Sequence, residues 1–170
     1  MDNQHFPIVL FKNYQCRVMP AMYNNNIMAL QLKEVDDGSP IATATVNLEE
    51  LEESVLKLIK DTGNCFTFIK CYSENEGILK ALVDAKVVSQ PVTHVSSGYI
   101  SRIPLVEVLN KELVSEWFNL IEDKLNKEAV TNFQQALESN TLDMAYALHE
   151  KRDQKLLEPF ENMYTKGGVF

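Results

Sequence analysis

The sequence has few of the residues that hold small secreted proteins or zinc sites together. It contains three cysteines, Cys16, Cys65 and Cys71, an odd number, and no CxxC pair. A disulfide framework uses an even number of cysteines, and a structural zinc site uses closely spaced cysteine or histidine ligands. The sequence therefore argues against both, and we expect the thiols to lie in the core.

Motifs that bind metals or phosphates, or that mark a catalytic serine, are also missing. The histidines His5, His94 and His149 occur in no HxH, HxxxH or HExxH pattern, and the scattered glycines form neither GxGxxG nor GxxxxGK[ST]. No GxSxG marks a hydrolase nucleophile. The sequence predicts no metal and no cofactor and identifies no catalytic residue, although dispersed polar side chains can still meet in space.

No segment has the pattern of a membrane span or an export signal. No apolar run approaches the ~18 residues that cross a bilayer. The start, MDNQHFPIVLFKNYQ, lacks a basic region followed by a long apolar one. We therefore expect a cytoplasmic protein without a membrane partner.

Positive charge is scarce. The 16 lysines and arginines are outnumbered by 24 aspartates and glutamates, so the net charge is −8. Direct binding to nucleic acid requires a basic surface, and we do not expect it here. An acid excess commonly serves solubility, and it can also attract a basic partner surface.

Residues 1–109 contain short apolar runs that are typical of β-strands. The runs at 8–11 and 15–19 come first, and Pro20 is expected to end the second. Strands at 27–35 and 41–48 flank an acidic turn that contains Asp36, Asp37 and Gly38, which predicts an antiparallel hairpin. Further β runs cover 65–72 and 99–109, the second of which contains Pro104, and the extended segment 87–95, interrupted by Pro91, is either an edge strand or a loop.

A first helix is predicted at 48–61, LEELEESVLKLIKD, with Asn47 as its N-cap. Four glutamates crowd its first turns: Glu49, Glu50, Glu52 and Glu53. The positive end of a helix dipole favours such a cluster. Binding of a partner is a second interpretation of the same residues.

A second helix is predicted over ILKALVDA, directly after Ser73-Glu74-Asn75-Glu76. Ser73 and Glu76 have the spacing of a capping box, in which each side chain bonds the main chain of the other. Glu74 and Glu76 are the most suggestive carboxylates for acid–base chemistry, but capping is their simpler role.

From residue 110 the pattern becomes helical. Apolar stripes recur in KELVSEWFNLIEDKLN, in EAVTNFQQALES and in LDMAYALHEKRDQKLLEPFENMY, and Ser139-Asn140-Thr141 caps the last. The predicted class is α+β: an antiparallel sheet with one or two packed helices over 1–109, followed by an all-helical appendage over 110–170. The appendage is expected to pack on the sheet, to form a helical hairpin, or to pair with a second copy as a homodimer.

Two adjacent aromatic residues, Trp117 and Phe118, are candidate anchors for a partner. On a helix they point about 100° apart, so one can enter the core while the other lies near the surface. Burial of both is the alternative. The candidate partner-binding set therefore consists of these two residues, the four glutamates, and Asp36 and Asp37 of the hairpin turn.

The order of these landmarks resembles a known family. Between residues 14 and 108 the chain has I-M-A-L-Q-L, a D-G-S-P turn, T-V-N-L, C-Y-S-E-N-E-G and S-G-Y-I-x-x-I-P in succession. This is similar to a domain-of-unknown-function family encoded by phages, plasmids and conjugative elements of bacteria. The family has no agreed catalytic residues, so the resemblance carries none to this chain.

The resemblance implies an accessory protein of a mobile element in a bacterial host cell. Small acidic proteins of this kind often antagonise bacterial defence. The expected function is therefore to bind and inhibit a nucleic-acid-handling defence protein such as a CRISPR effector, with acidic side chains occupying its basic groove. One alternative is an enzyme that modifies or cleaves a nucleic acid or a nucleotide, and another is a structural or regulatory dimer for maintenance of the element.

Overall fold

The architecture was analysed in a computed structural model, which describes residues 5–48 and 51–138. The strands and helices are, in chain order, β1 (Ile8–Phe11), β2 (Tyr14–Met22), β3 (Met28–Glu34), β4 (Pro40–Thr43), α1 (Glu53–Thr62), β5 (Phe66–Phe68), α2 (Ile78–Asp84), β6 (Thr93–Ser97), β7 (Ile100–Glu107) and α3 (Lys111–Glu138). The predicted α+β class with antiparallel sheets is confirmed. The helix predicted beyond Ser139 lies outside the described residues.

The first sheet is an antiparallel meander in the order β1-β2-β3-β4. The predicted hairpin is its β3–β4 pair, in which Gln31 faces Thr43. Gly38 adopts a left-handed φ of 74° in the turn, a conformation that glycine reaches without steric cost. The second strand of this hairpin ends at Thr43, earlier than the predicted 48.

The β1–β2 connection is a two-residue turn that the sequence pattern did not reveal. Lys12 and Asn13 both have positive φ, 48° and 69°, between Phe11 and Tyr14. Positive φ at both central residues suits the twist of a tight hairpin. Lysine rarely adopts this conformation, so nothing in its identity marked the turn.

Two prolines lie inside strands, contrary to the prediction that Pro20 ends one. Pro20 pairs with Leu30 of β3. On the side of β2 that faces β1, Pro20 has no N–H to donate, and it lies beyond the end of β1. Two residues earlier, the Val18 N–H donates to the Pro7 carbonyl, just before β1 begins. Pro104 lies opposite Ile69, one residue past the end of β5, and its carbonyl still accepts the Ile69 N–H, so this position is paired through the one backbone group that proline keeps.

The second sheet has the order β5-β7-β6 and is joined to the first at one point. Thr45 forms an isolated antiparallel bridge with Ile69. Close by, the Thr67 hydroxyl donates to the Met28 carbonyl at 2.7 Å and so links β5 to β3. The two sheets therefore share a hydrogen-bonded seam.

The two helix caps that were predicted within the described residues are wrong, and the third, at Ser139-Asn140-Thr141, lies outside them. Helix α1 begins at Glu53 with Glu52 as N-cap residue, so Asn47 does not cap it. Helix α2 begins after Gly77, whose φ is 86°. Ser73 adopts φ 57° within a separate 3-10 turn, Ser73–Asn75, so it cannot be the extended N-cap of a capping box.

The main core lies between the first sheet, α2 and the start of α3. Strands β1–β3 supply fully buried side chains such as Val18, Leu30 and Leu32, and Leu113 of α3 joins the same cluster. Ile121 and Leu125 are also buried, so α3 lies along the sheet for its first half. This first half of α3 packs on the sheet, which is one of the three arrangements predicted for the helical region. No helix in the described part of the chain is long and apolar enough to cross a membrane.

Candidate functional site

A turn of three asparagines, Asn24, Asn25 and Asn26, fastens α3 to the sheet. We call it the asparagine turn. Trp117 Nε1 donates to the Asn26 carbonyl at 3.1 Å. Lys124 Nζ donates to the Asn24 carbonyl at 2.8 Å and to Asn26 Oδ1 at 2.9 Å. The turn itself closes by Asn26 N–H donating to the Tyr23 carbonyl, and φ of Asn26 is 64°, which asparagine tolerates.

Trp117 is therefore a structural contact, and only part of the aromatic pair is near solvent. Trp117 packs against the main core and uses its N–H internally. Phe118 lies 4.9 Å from it, centroid to centroid, and lines a surface cleft with Cys65, Val114 and Ser115. Both side chains are half-buried, Trp117 against the main core and Phe118 in the lining of the cleft.

Asp36 and Asp37 are exposed in the β3–β4 turn. Asp37 Oδ1 accepts the Ser39 N–H at 2.8 Å, and this hydrogen bond lowers the pKa of Asp37 below its ordinary value. The carboxylate therefore stays charged well into the acid range. Its local role is to close the turn.

Glu52 and Glu53 are exposed at the start of α1, whereas Glu49 and Glu50 lie outside the described residues. Glu52 is the N-cap residue but makes no capping hydrogen bond with its side chain. The Glu52 carboxylate therefore does not cap the helix. Glu53 lies in the first turn, where the helix dipole favours its negative charge.

The structure does not bring the two acidic pairs together. Asn25 Nδ2 donates to the Leu48 carbonyl at 3.4 Å, which places the chain leading to α1 beside the asparagine turn. Asp36 and Asp37 follow the opposite end of β3, and seven residues of strand separate the two ends by about 20 Å. The acidic candidates therefore form two groups at opposite ends of the first sheet.

Helix α3 adds carboxylates at the asparagine-turn end. Glu122 and Asp123 are exposed and directly precede Lys124, which binds the turn. Together with Glu52 and Glu53 they form what we call the acidic end. This grouping was not predicted, because it depends on where α3 crosses the turn.

A separate polar cleft of about 440 Å³ lies between residues 41–47 and 70–75. Tyr23 and Tyr72 contribute rings to its lining, and Ile41, Ala42 and Val46 contribute apolar surface. Its volume falls within the range of small-molecule sites, roughly 300–1,000 Å³. No residue of this cleft was predicted as a binding residue.

Asn75 lines the cleft with an amide whose orientation is determined. Its Nδ2 donates to the Thr43 carbonyl at 2.7 Å, and the residue is only 1% exposed. Its Oδ1 is buried and has no hydrogen-bond partner among the described residues. A buried acceptor left unpaired costs about 1–3 kcal/mol, so this oxygen favours a donor.

A second asparagine in the lining of the cleft also has an unpaired amide oxygen. Asn47 Oδ1 is buried without a hydrogen-bond partner in the described part of the chain. Nearby, the Tyr23 and Thr45 hydroxyls are 3.0 Å apart, and Thr45 Oγ1 also accepts the Leu30 N–H at 3.1 Å. Burial raises the pKa of Tyr23, so its phenol is protonated at neutral pH.

The rim of the cleft carries a paired charge. Lys70 Nζ forms an ion pair with Glu74 and lies 5.5 Å above the centroid of the Tyr72 ring. The hydrogen bond between the pair raises the pKa of Lys70 and lowers the pKa of Glu74. Lys12 Nζ also donates to the Glu74 carbonyl. The loop that carries Asn75 is thereby held from two sides.

The cysteines have the character of core thiols, as predicted. Cys16 is buried, and Cys65 and Cys71 pack against the main core. Burial, followed by the nearby charge of Glu107, raises the pKa of Cys65 to about 12. A thiol with this pKa is not a nucleophile at neutral pH. Within residues 5–48 and 51–138, no group of three or more histidine, cysteine or acidic side chains is placed to hold a metal.

Comparison of the chain with protein-family models, with curated proteins and with solved structures found no match.

Proposed function

We propose that this protein is a mobile-element accessory protein that binds and inhibits a nucleic-acid-handling bacterial defence protein, such as a CRISPR effector, in the bacterial cytoplasm. The observation that carries the proposal is the acidic end, because Leu48, shortly before the exposed Glu52 and Glu53, and Lys124, next to the exposed Glu122 and Asp123, both contact the asparagine turn. A group of exposed carboxylates is suited to a basic groove that normally holds phosphates.

The capping geometry of α1 supports this use of the carboxylates. The structural explanation for the glutamate cluster was stabilisation of the helix start, and it applies to Glu53. Glu52 makes no side-chain capping bond, and neither residue is in an ion pair with another described residue. Their charge is therefore available to a partner.

The overall charge of −8 adds a long-range contribution. Opposite net charges speed up association with a basic protein and suppress binding to acidic ones. Such attraction is screened within about 8 Å at physiological salt, so inhibition should weaken as salt rises. Contact of α3 with the partner adds complementarity of shape to the attraction between opposite charges.

The test is inhibition by charge-reversal pairs in a bacterium with an active CRISPR system that restricts a phage. We expect the wild-type chain to restore plaque formation and Glu52→Lys/Glu53→Lys to abolish the effect. Asp36→Lys/Asp37→Lys, at the other end of β3, should retain most of it. Glu76→Lys/Asp84→Lys makes the same change in net charge beside α2, on exposed residues, and serves as the matched control.

The proposal fails if the acidic-end pair inhibits as well as the wild type while remaining folded by circular dichroism. Inhibition by far less than one protein per effector, or a chemically altered effector, would instead favour the enzyme alternative. Equal loss of inhibition in all three double variants would mean that inhibition depends on the net charge and not on the position of the acidic residues.

A second candidate function, the regulatory dimer, is favoured by the distal half of α3. The helix is about 42 Å long, and Leu125 is the last buried residue among those of the helix up to 135, as far as side chains are described. Beyond them, Val130 and Phe133 are 56% and 40% exposed and share one face at i, i+3 spacing.

Light scattering coupled to size exclusion tests the dimer directly. A mass near 39 kDa, twice the 19.4 kDa of the chain, would support it. Phe133→Lys should then yield a monomer, whereas Gln134→Lys, one position along on another face, should not. A monomeric wild type at high concentration would eliminate this candidate.

A further inference from the structure

The polar cleft has a chemistry that neither the acidic end nor the dimer explains. Two of its lining residues, Asn75 and Asn47, each have a buried side-chain oxygen with no hydrogen-bond partner among the described residues, and both oxygens are acceptors. The Asn75 amide cannot simply turn around to change this, because its nitrogen already donates to the Thr43 carbonyl. A ligand that satisfies the cleft must therefore offer N–H or O–H donors, and a bare phosphate or carboxylate would be repelled by these oxygens.

The charged residues of the cleft favour an uncharged donor group over a cationic one. Lys70 is the cation at the rim, and its pairing with Glu74 leaves little local excess of either sign. An arginine side chain has suitable donors, but it would bring a second cation beside Lys70. Amide oxygens accept equally well from an uncharged amino group, so a neutral donor fits better.

The remaining lining favours a flat, partly apolar ligand. The Tyr23 and Tyr72 rings and the aliphatic side chains of Ile41 and Val46 suit the faces of an aromatic ring. Proteins commonly recognise nucleobases by this combination, with stacking on aromatic side chains and hydrogen bonds to the polar edge.

We propose that this cleft binds a nucleobase that carries an exocyclic amino group, adenine or cytosine, with the amino group donating to the side-chain oxygen of Asn75 or Asn47. The base comes from a free mononucleotide. The net charge of −8 opposes a polyanion, and Lys70, the one cation among the lining residues, is already paired with Glu74, so the phosphate of the nucleotide is expected to stay in solvent. This inference is independent of the proposed inhibition.

Matched nucleotide pairs provide the test. Binding of AMP, IMP, CMP and UMP to the purified chain is measured by isothermal titration calorimetry. IMP and UMP carry a carbonyl oxygen where AMP and CMP carry the amino group. We expect AMP or CMP to bind at least about tenfold more tightly than its partner, because a buried acceptor facing a carbonyl stays unpaired.

Variants connect the binding to the cleft. Asn47→Ala removes one acceptor without disturbing the Thr43 contact, and Tyr72→Leu removes a ring. Each should weaken binding of the preferred nucleotide by at least about tenfold if its group contacts the base. Asn119→Ala, an exposed asparagine of α3, is the matched control and should bind as the wild type does.

Four results would overturn the proposal. No saturable binding of any of the four nucleotides at millimolar concentration, with a folded protein, would exclude a nucleotide site. Equal affinity within both pairs would show that the amino group is not recognised, and tighter binding of argininamide would assign the cleft to a cationic side chain. An oligonucleotide such as oligo(dA) that binds more tightly than AMP would overturn the choice of a mononucleotide.

Discussion

The indole Nε1 of Trp117 donates to the main-chain carbonyl of Asn26 at 3.1 Å, across 91 residues of sequence. Replacement by phenylalanine keeps an aromatic ring and removes the donor. We expect Trp117→Phe to lower the free energy of unfolding by about 1 kcal/mol, the usual contribution of one hydrogen bond. Urea denaturation followed by far-ultraviolet circular dichroism measures this, because the variant lacks the single tryptophan.

The neighbouring exposed residue provides the control for this experiment. Asn119→Ala lies two positions along α3, and its side chain bonds only Glu116 among the described residues. Its stability should stay close to that of the wild type. If Trp117→Phe were equally neutral, the indole contact would not help to hold α3 on the sheet.

Thr67 should contribute to stability through the seam between the two sheets. It is fully buried, and its hydroxyl donates to the Met28 carbonyl at 2.7 Å. Thr67→Val keeps the shape but leaves that carbonyl unpaired, which should cost about 1–3 kcal/mol. The same substitution at the partly exposed Thr93 of β6 should cost far less in thermal or urea unfolding. Equal losses at the two positions would contradict a specific role of the seam.

The Lys70–Glu74 pair should be visible in the titration of Glu74. Lys70 lowers the pKa of this carboxyl, so the folded state binds its proton less readily than the unfolded state does. The stabilisation is present above the ordinary pKa of about 4.3 and is lost as pH falls through the lower folded value. It should be small, because the Glu74 side chain is 62% exposed.

Carboxyl-carbon NMR measures the pKa of Glu74 directly. Lys70→Met should return it to the ordinary range. Lys80→Met removes a lysine of the same i,i+4 type from α2 and should leave Glu74 unchanged. An ordinary pKa for Glu74 in the wild-type protein would show that the pair does not persist in solution.

Cys65 should resist alkylation while the protein is folded. With its pKa raised to about 12, its thiolate fraction at pH 8 is about 1 in 10,000, compared with roughly a quarter for an ordinary thiol. Iodoacetamide treatment followed by peptide mass mapping should find Cys65 unmodified in the native protein and fully modified in urea. Rapid native modification at pH 8 would show that the site opens frequently.

The β3–β4 hairpin is the element that sequence reasoning placed best, because its alternation and its Gly38 turn are local signals. The caps were wrong for the opposite reason. The spacing of Ser73 and Glu76 matched a capping box, but the loop turns left-handed at Ser73, and the contacts of Lys12 and Lys70 with Glu74 come from other parts of the chain. A four-residue motif contains no information about such contacts.

For the acidic candidates, too, the sequence predicted the local properties but not the spatial arrangement. Exposure of Asp36, Asp37, Glu52 and Glu53 follows from their charge and their position near turns. Their separation into two ends, and the contact of Lys124 with the asparagine turn, depend on strand order and on the path of α3. The polar cleft had no sequence signal, because its asparagines and tyrosines come from segments that meet only after the two sheets join.

By itself the sequence determined the α+β class, the main hairpin, the apolar faces and the surplus of negative charge, because these depend on residue type and on spacing of a few positions. Tertiary structure alone decided that Trp117 binds Asn26, that Pro20 and Pro104 can lie within strands, and that Asn75, in the lining of a cleft, has a buried oxygen with no described partner. Each of these depends on which hydrogen-bonding groups, distant along the chain, lie opposite one another in the folded protein.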